Sequence, residues 1–135
     1  MAVTANQLVK VRGGGRRREI KLGNGEHIYQ GTLVYRAADG YASATEGNGP
    51  FAGIAVAEYD NSSGADGDVI GEVYTDGSFE LPFNAGNATQ AILGDAAYGV
   101  DNYNVDDDGT GNTKIGNFSK VISGSLVEVD INPLQ

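Results

Sequence analysis

The sequence predicts an all-β protein, a compact barrel- or sandwich-like domain of about eight or nine short strands with an extended N-terminal arm. Twenty-one of the 135 residues are glycine and three are proline, which is typical of a chain with many tight turns. Val, Ile, Thr and Tyr, which favour strands, are spread along the whole sequence. Several short runs alternate apolar and polar residues with a period of two, as half-buried strands do.

The first predicted strand pair lies on either side of an Asp-Gly turn. HIYQGTLVYRA, residues 27–37, is rich in β-branched and aromatic residues, and Asp39–Gly40 after it is a strong hairpin signal. YASAT would return as the second strand, and EGNGP would form the next turn. We therefore expect an antiparallel hairpin in this part of the chain.

The segment FAGIAVAEY, residues 51–59, predicts a mostly buried strand because nearly all of its side chains are apolar. Strict alternation assigns its residues to two faces, with Phe51, Gly53, Ala55 and Ala57 on one and Ile54 and Val56 on the other. DNSSGADGD after it consists of turn-forming residues. Its carboxylates, Asp60, Asp66 and Asp68, have no fixed spacing, so we interpret it as a bend between strands rather than a binding loop.

The second half of the sequence predicts an edge strand and a closing hairpin. SFELPF follows a second Asp-Gly pair, at residues 76–77, and its Pro82 indicates a strand that lies at a sheet edge or ends there. AILGDAAYGV fits either a short helical turn or a strand. KIGNFSKVI and SLVEVDI, joined by a Ser-Gly turn, predict a last hairpin. The residues expected to face inward are Phe79, Leu81 and Phe83 in the edge strand and Val127, Val129 and Ile131 in the hairpin.

Charge divides the chain into two parts. The formal net charge is −9, yet six of the nine basic residues lie between Lys10 and Lys21. Residues 1–21 carry six basic side chains and one acidic side chain, whereas residues 22–135 carry three basic and seventeen acidic ones. The sequence therefore predicts a basic N-terminal arm, residues 1–21, followed by a single acidic β domain, residues 22–135.

The basic residues of the arm are the candidate contact residues. The arm lacks interleaved aromatic residues for base stacking, and the acidic domain would repel a polyanion, so we expect no nucleic-acid partner. A basic arm is better suited to an acidic protein surface, on a sister subunit or a larger assembly, although a solvated tail is an alternative. The candidates are Lys10, Arg12, Arg16, Arg17, Arg18 and Lys21.

Signals for catalysis, metal binding and membrane insertion are weak. The chain has no cysteine and one histidine, His27, which we interpret as a surface residue. NVDDDGTGN, residues 104–112, partly matches a calcium loop, but Ile115 stands where that loop requires a bidentate glutamate. No run of 18 apolar residues occurs. We expect no catalytic, cofactor-binding or metal-ligating residue and no membrane association.

Several segments resemble the small head decoration, or cement, proteins of tailed bacteriophages. These segments are MAVTANQ, HIYQGTLVYRAADGYA, FAGIAVAEYDNSSGADGD, VYTDGSFEL, GDAAYGVDNY and IGNFSKVISGSLVEVDI. The resemblance covers nearly the whole chain as a pattern of strand and glycine placements. It implies a non-enzymatic virion protein on the capsid exterior that binds the major capsid protein, commonly as a homotrimer, with an N-terminal segment that reaches along the lattice.

The residues themselves also favour a trimer and leave two other functions open. Residues 51–59, 69–74 and 79–83 offer more apolar faces than a monomer of this size needs, which predicts a mostly apolar homotrimer interface. One alternative function is another virion part, such as a tail or fibre module. The other is an enzyme or a carbohydrate-binding β domain, which would need exposed aromatics. Four of the seven tyrosines are expected in the core or in cross-strand pairs: Tyr29, Tyr35, Tyr59 and Tyr74.

Overall fold

The computed structural model describes residues 2–7, 16–47, 49–84 and 86–133, and this part of the chain is all-β. Its twelve strands form two five-stranded antiparallel sheets and one two-stranded ribbon. The one helix among the described residues is a short 3₁₀ segment, Gln90–Ile92. Eight of the twelve strands have four or more residues and the other four have two. The predicted all-β class is confirmed.

The first sheet has the strand order β1-β7-β5-β3-β4. Its strands are β1 (Arg17–Lys21), β3 (Leu33–Arg36), β4 (Ala42–Ser43), β5 (Phe51–Ala55) and β7 (Ile70–Tyr74). The two edge strands meet at one point, where Leu22 forms a parallel bridge to Ala42 and the backbone N–H of Gly23 donates to the Ala42 carbonyl at 3.1 Å. The sheet is therefore curled until its edges touch just beyond the end of β1.

The second sheet has the strand order β10-β9-β11-β12-β8. Its strands are β8 (Ser78–Pro82), β9 (Ala96–Gly99), β10 (Val105–Asp106), β11 (Thr113–Ser123) and β12 (Leu126–Ile131). A parallel bridge from Phe83 to Val105 joins its two edges. The ribbon pairs β2 (His27–Ile28) with β6 (Tyr59–Asp60). The predicted closing hairpin is confirmed as β11 and β12, and β8 is an edge strand that ends at Pro82, as predicted.

Two hydrophobic cores lie on opposite faces of β3 and β5. In β3, Leu33 and Tyr35 point into the larger core, between the sheets, while Val34 points into the smaller core, inside the curled first sheet. The larger core contains Leu33, Tyr35, Phe51, Ile54, Phe79, Leu81, Phe83, Ala88, Ile92, Ala97, Val105, Ile115, Phe118, Val127, Val129 and Ile131. The smaller core contains Ile20, Leu22, Ile28, Val34, Ala42, Ala52, Ala55 and Val73. The predicted inward residues of β8 and β12 are thus buried as expected.

Strand β5 is buried as predicted, but its assignment to two faces was wrong. Phe51 and Ile54 share the larger core, and Ala52 and Ala55 share the smaller one. The register against β3 shifts at this point, because Gly53 lies opposite Val34 while Phe51 lies opposite Tyr35. One extra residue in β5 therefore forms a bulge, which reverses the alternation of faces beyond it.

The two Asp-Gly turns have different roles. Asp39–Gly40 lies in the loop between β3 and β4, which form the predicted hairpin. The second turn, at residues 76–77, leads from β7 in the first sheet to β8 in the second sheet. An Asp-Gly pair fits both because Gly40 and Gly77 have positive φ angles of 87° and 104°. The local turn chemistry does not distinguish a hairpin from a crossing between sheets.

The apolar faces from which we predicted a trimer are occupied within one chain. Phe83, for example, is 8% exposed and meets Phe118 edge-on at 5.8 Å between ring centroids. The large hydrophobic residues that remain exposed in the described structure are scattered: Ile70, Leu93 and Ile122. The surplus of apolar residues is accounted for by two cores within one chain. The homotrimer stays a prediction, but the number of apolar residues no longer supports it. Within the described residues, no helix is long and apolar enough to span a membrane.

Tyrosines contribute to both cores. Tyr35 is fully buried, Tyr74 packs against the larger core, and Tyr59 packs against the smaller one. Tyr29 stacks on His27 with ring centroids 4.3 Å apart. Burial raises the pKa of Tyr35, with a smaller contribution from nearby carboxylates, so its hydroxyl stays protonated and donates to the Asp101 carbonyl at 2.8 Å.

Candidate interaction surface

The candidate contact residues divide between the sheet and a part of the chain that the structure does not describe. Residues 17–21, which the sequence analysis placed in the arm, form strand β1 and pair in full with β7. They belong to the sheet because Ile20 is 3% exposed and points into the smaller core, while its charged neighbours remain exposed. Residues 17–21 are therefore part of the first sheet and not of a separate arm. Lys10 and Arg12 lie outside the described residues.

The basic residues of β1 are solvent-exposed on an edge strand. The guanidinium carbon of Arg17 lies 5.5 Å from the centre of the Tyr74 ring, and Arg18 and Lys21 are exposed. Arg16, just before the strand, is held by its backbone: its N–H donates to Asp76 Oδ1 at 2.5 Å and its carbonyl accepts from Thr75 N–H at 2.8 Å. Where both partners are described residues, the ion pairs lie at His27, and none of them involves these four basic residues.

Half of the backbone N–H and C=O groups of β1 point away from its partner strand, β7. Alternate residues of an antiparallel strand direct both backbone groups at the partner strand. The Arg16 carbonyl accepts from Thr75, and the Leu22 N–H donates to the Val69 carbonyl at 3.0 Å, so the even-numbered residues face β7. The N–H and C=O groups of residues 17 and 19 and the N–H of residue 21 therefore face the open side. Among the described residues, β1 pairs with β7 alone along residues 17–19, and only beyond them does the Leu22–Ala42 bridge join it to the other edge of the sheet.

An open groove lies beside this edge. It has a volume of about 340 Å³ and is lined by residues 19–21 on one side and by Arg36 and residues 39–41 on the other. These two stretches directly precede Leu22 and Ala42, the residues of the parallel bridge. The groove is thus the gap between the two edges of the curled sheet, closed at one end by that bridge.

The far wall of the groove, formed by Arg36 and residues 39–41, is held by hydrogen bonds between residues close in sequence. The side chain of Asp39 accepts from the Tyr41 N–H at 3.1 Å, and Arg36 Nη1 donates to the Gly40 carbonyl at 3.1 Å. Sequence reasoning missed this wall. The hairpin turn was predicted, but only the Leu22–Ala42 bridge brings it against β1, and no sequence signal marks that bridge.

A second polar cluster ties the N-terminal segment, residues 2–7, to the domain. Glu58 accepts from His27 Nε2 at 2.7 Å with one carboxylate oxygen and from Asn6 Nδ2 at 2.9 Å with the other. Asn6 Oδ1 in turn accepts from the Gln30 N–H at 2.8 Å, and the hydrogen bond from His27 lowers the pKa of Glu58. The surface position predicted for His27 is observed, but Glu58 beside it was not predicted.

Further hydrogen bonds hold the same segment at its other end. The side chain of Asn102 accepts from the Val3 N–H and donates to the Val3 carbonyl, both at 2.9 Å. None of residues 2–7 is fully buried. The segment is therefore attached mainly by polar contacts rather than by packing in a core.

Polar side chains in the two Asp-rich loops form hydrogen bonds with backbone groups of the protein. In the loop after β6, Asn61 is 2% exposed and donates to the carbonyls of Gly23 and Ala65 at 2.9 and 3.0 Å. In the loop after β10, Asp106 Oδ1 accepts from the Asp108 N–H at 3.1 Å, and Asp108 Oδ1 accepts from the Thr110 N–H at 3.0 Å. The described residues contain no cluster of three or more His, Asp or Glu side chains arranged to hold a metal ion.

The comparisons with known proteins add no relative. The chain matches no model of a known protein family, and no curated protein matches it at a significant level. The resemblance to phage decoration proteins therefore stays a hypothesis that rests on the sequence pattern. The basic edge strand β1 and the groove beside it are the candidate interaction surface.

Proposed function

We propose that this protein is a non-catalytic structural component of a phage virion that binds the outer surface of the capsid and stabilises it. The observation that carries the proposal is the basic edge strand: Arg16, Arg17, Arg18 and Lys21 form an exposed cluster on a chain whose net charge is −9. Such a separation of charge favours one orientation on an acidic protein surface and opposes self-association through the rest of the molecule.

The proposed partner is the major capsid protein. Attachment through an edge strand suits a protein that covers a lattice, because many identical sites each need only a modest affinity. The β domain stiffens the capsid when it bridges neighbouring capsid subunits, and a homotrimer would multiply these contacts at each lattice position. Because the described surface carries few exposed apolar residues, we expect subunits of such a trimer to meet mainly through the lattice.

The test is addition of the purified protein to empty expanded capsids of the phage that encodes it. We expect the protein to sediment with these capsids, to reach three copies per site at saturation, and to raise the temperature at which the capsids break. Binding to purified tails in place of capsids would identify a tail or fibre module. Failure to bind either particle would contradict the proposal.

A pair of charge variants tests the basic edge itself. Replacing Arg17 and Arg18 by glutamine should lower capsid affinity roughly tenfold, about 1.4 kcal/mol, and should flatten the dependence of binding on salt, because two exposed cations are lost. The matched control replaces Lys114 and Lys120, which are exposed on the second sheet, and changes the net charge equally. Equal losses from both pairs would mean that net charge, and not this edge, governs binding.

A further inference from the structure

The β1 edge offers backbone groups as well as charge. The N–H and C=O groups of Arg17 and Glu19 and the N–H of Lys21 face the open side of the strand, and a groove of about 340 Å³ runs alongside residues 19–21. An unpaired strand edge binds another extended chain through main-chain hydrogen bonds, while its side chains select the partner. A charged surface alone would not require this combination of open backbone and adjacent space.

We propose that this groove accepts an extended acidic segment of the partner, which adds to the first sheet as a further strand beside β1. The inference rests on the proposed function for the source of that segment, the capsid protein. The groove is lined by two basic side chains, Lys21 and Arg36, and by two acidic ones, Glu19 and Asp39. The excess of positive charge comes from Arg17 and Arg18, which are exposed on the same edge strand just before the groove. A second copy of β1 is a poor occupant because it would place two arginine clusters side by side.

The register of β1 specifies the side chains that fit. Arg17, Glu19 and Lys21 share one face because they alternate along the strand. A bound strand would therefore favour acidic residues opposite Arg17 and Lys21, four positions apart, with a basic or neutral residue between them, opposite Glu19. The Leu22–Ala42 bridge closes the groove and so limits how far the segment extends.

Replacement of Glu19 by proline tests the backbone contact on capsids. Proline removes the N–H of residue 19, which faces the open side, and leaves the hydrogen bonds from residues 18 and 20 to β7 in place. We expect Glu19→Pro to keep a melting temperature close to that of the control Glu19→Gln but to bind capsids at least tenfold more weakly. Glu19→Gln keeps the N–H and should bind at least as well as the wild type. Equal binding by a folded Glu19→Pro would overturn the proposal.

A peptide titration of the wild-type protein keeps the test independent of folding and of capsids. The probe is a synthetic peptide that contains the sequence Asp-Val-Lys-Val-Asp, and its control has lysine in place of both aspartates. By NMR, the probe should slow amide exchange at Arg17, Glu19 and Lys21 and leave Arg18 and Ile20 unchanged. Protection by the control alone, or no protection by either peptide, would overturn the groove as an acidic-strand site.

The two measurements separate the inference from the proposed function. If Glu19→Pro binds capsids as the wild type does and the probe gives no protection, the proposed capsid function is retained. The proposal of an added strand beside β1 is then refuted. Protection by the probe without capsid binding would support the groove and refute the proposed capsid function.

Discussion

Glu58 is the residue through which pH acts on the N-terminal segment. Its pKa is lowered from the ordinary 4.5, first by the hydrogen bond from His27 and then by the one from Asn6. Because the folded pKa is the lower one, the stabilisation is complete above the pKa of the unfolded chain and is lost as the pH falls through the folded value. We expect protection of the Gln7 amide, which donates to the Gln30 carbonyl at 2.7 Å, to fall in that acidic range.

Hydrogen exchange followed by NMR measures this release. In Glu58→Gln, which cannot ionise, protection of the Gln7 amide should be lower at neutral pH and should no longer change across the acidic range. Protection in the wild type that is constant down to the pH of global unfolding would contradict the role of Glu58.

Gly53 holds the bulge in β5, and a side chain there should be costly. Its φ angle is +148°, and a Cβ atom at this position would overlap the carbonyl oxygen of Tyr74. We expect Gly53→Ala to lower the free energy of unfolding by about 3 kcal/mol. The control is Gly25→Ala, where φ is also positive but the space is open, so the cost should be about 1 kcal/mol. Chemical denaturation gives both values, and equal costs would exclude the overlap with Tyr74.

Strand β1 is the element whose role differs most from the sequence prediction. The sequence analysis assigned residues 1–21 to an arm outside the β domain, whereas the structure places Ile20 in the smaller core. We now expect deletion of residues 1–15 to leave a cooperative fold, and deletion of residues 1–21 to cost a further 2–5 kcal/mol or so, since it removes an edge strand and a buried isoleucine. Thermal unfolding of the two truncated chains, followed by circular dichroism, tests this, and equal melting temperatures would contradict it.

The loop after β10 is an element held by its own hydrogen bonds. Asp106 and Asp108 already accept N–H groups within the loop, and Ile115, which stands in the place of the required glutamate, is fully buried. We expect neither calcium nor a chelator to shift the melting temperature by more than a degree or so, because a ligand stabilises only in proportion to its binding. A large fall on addition of EDTA, measured by differential scanning fluorimetry, would show a metal site.

Sequence patterns identified the elements better than their partners. Pro82 marked the edge strand, and the alternation of Val127, Val129 and Ile131 marked the closing hairpin, because both signals are local. Strand β1 was missed because a single inward residue, Ile20, gives no periodicity. The groove could not be predicted, since Lys21 and Tyr41 are brought together only by the curl of the sheet.

For the whole molecule, the shared wall of β3 and β5 couples the two cores. Val34 and Ala55 are buried on one face of this wall, and Tyr35 and Ile54 on the other. If either core unfolds, β3 and β5 lose the contacts that hold them in place for the other core. The chain should therefore unfold in one cooperative step. A partner bound at β1 should therefore stabilise both cores together.

The double hydrogen bond between Val3 and Asn102 spans 99 positions of the chain. During synthesis Val3 is made 99 residues before Asn102, so it acquires this partner only after the intervening chain has been made. Closing so long a loop has an entropic cost, and the few polar contacts at residues 2–7 offset it only at the end of folding. Residues 2–7 should therefore dock late, and until they do so their backbone and side-chain groups remain available to a neighbouring molecule.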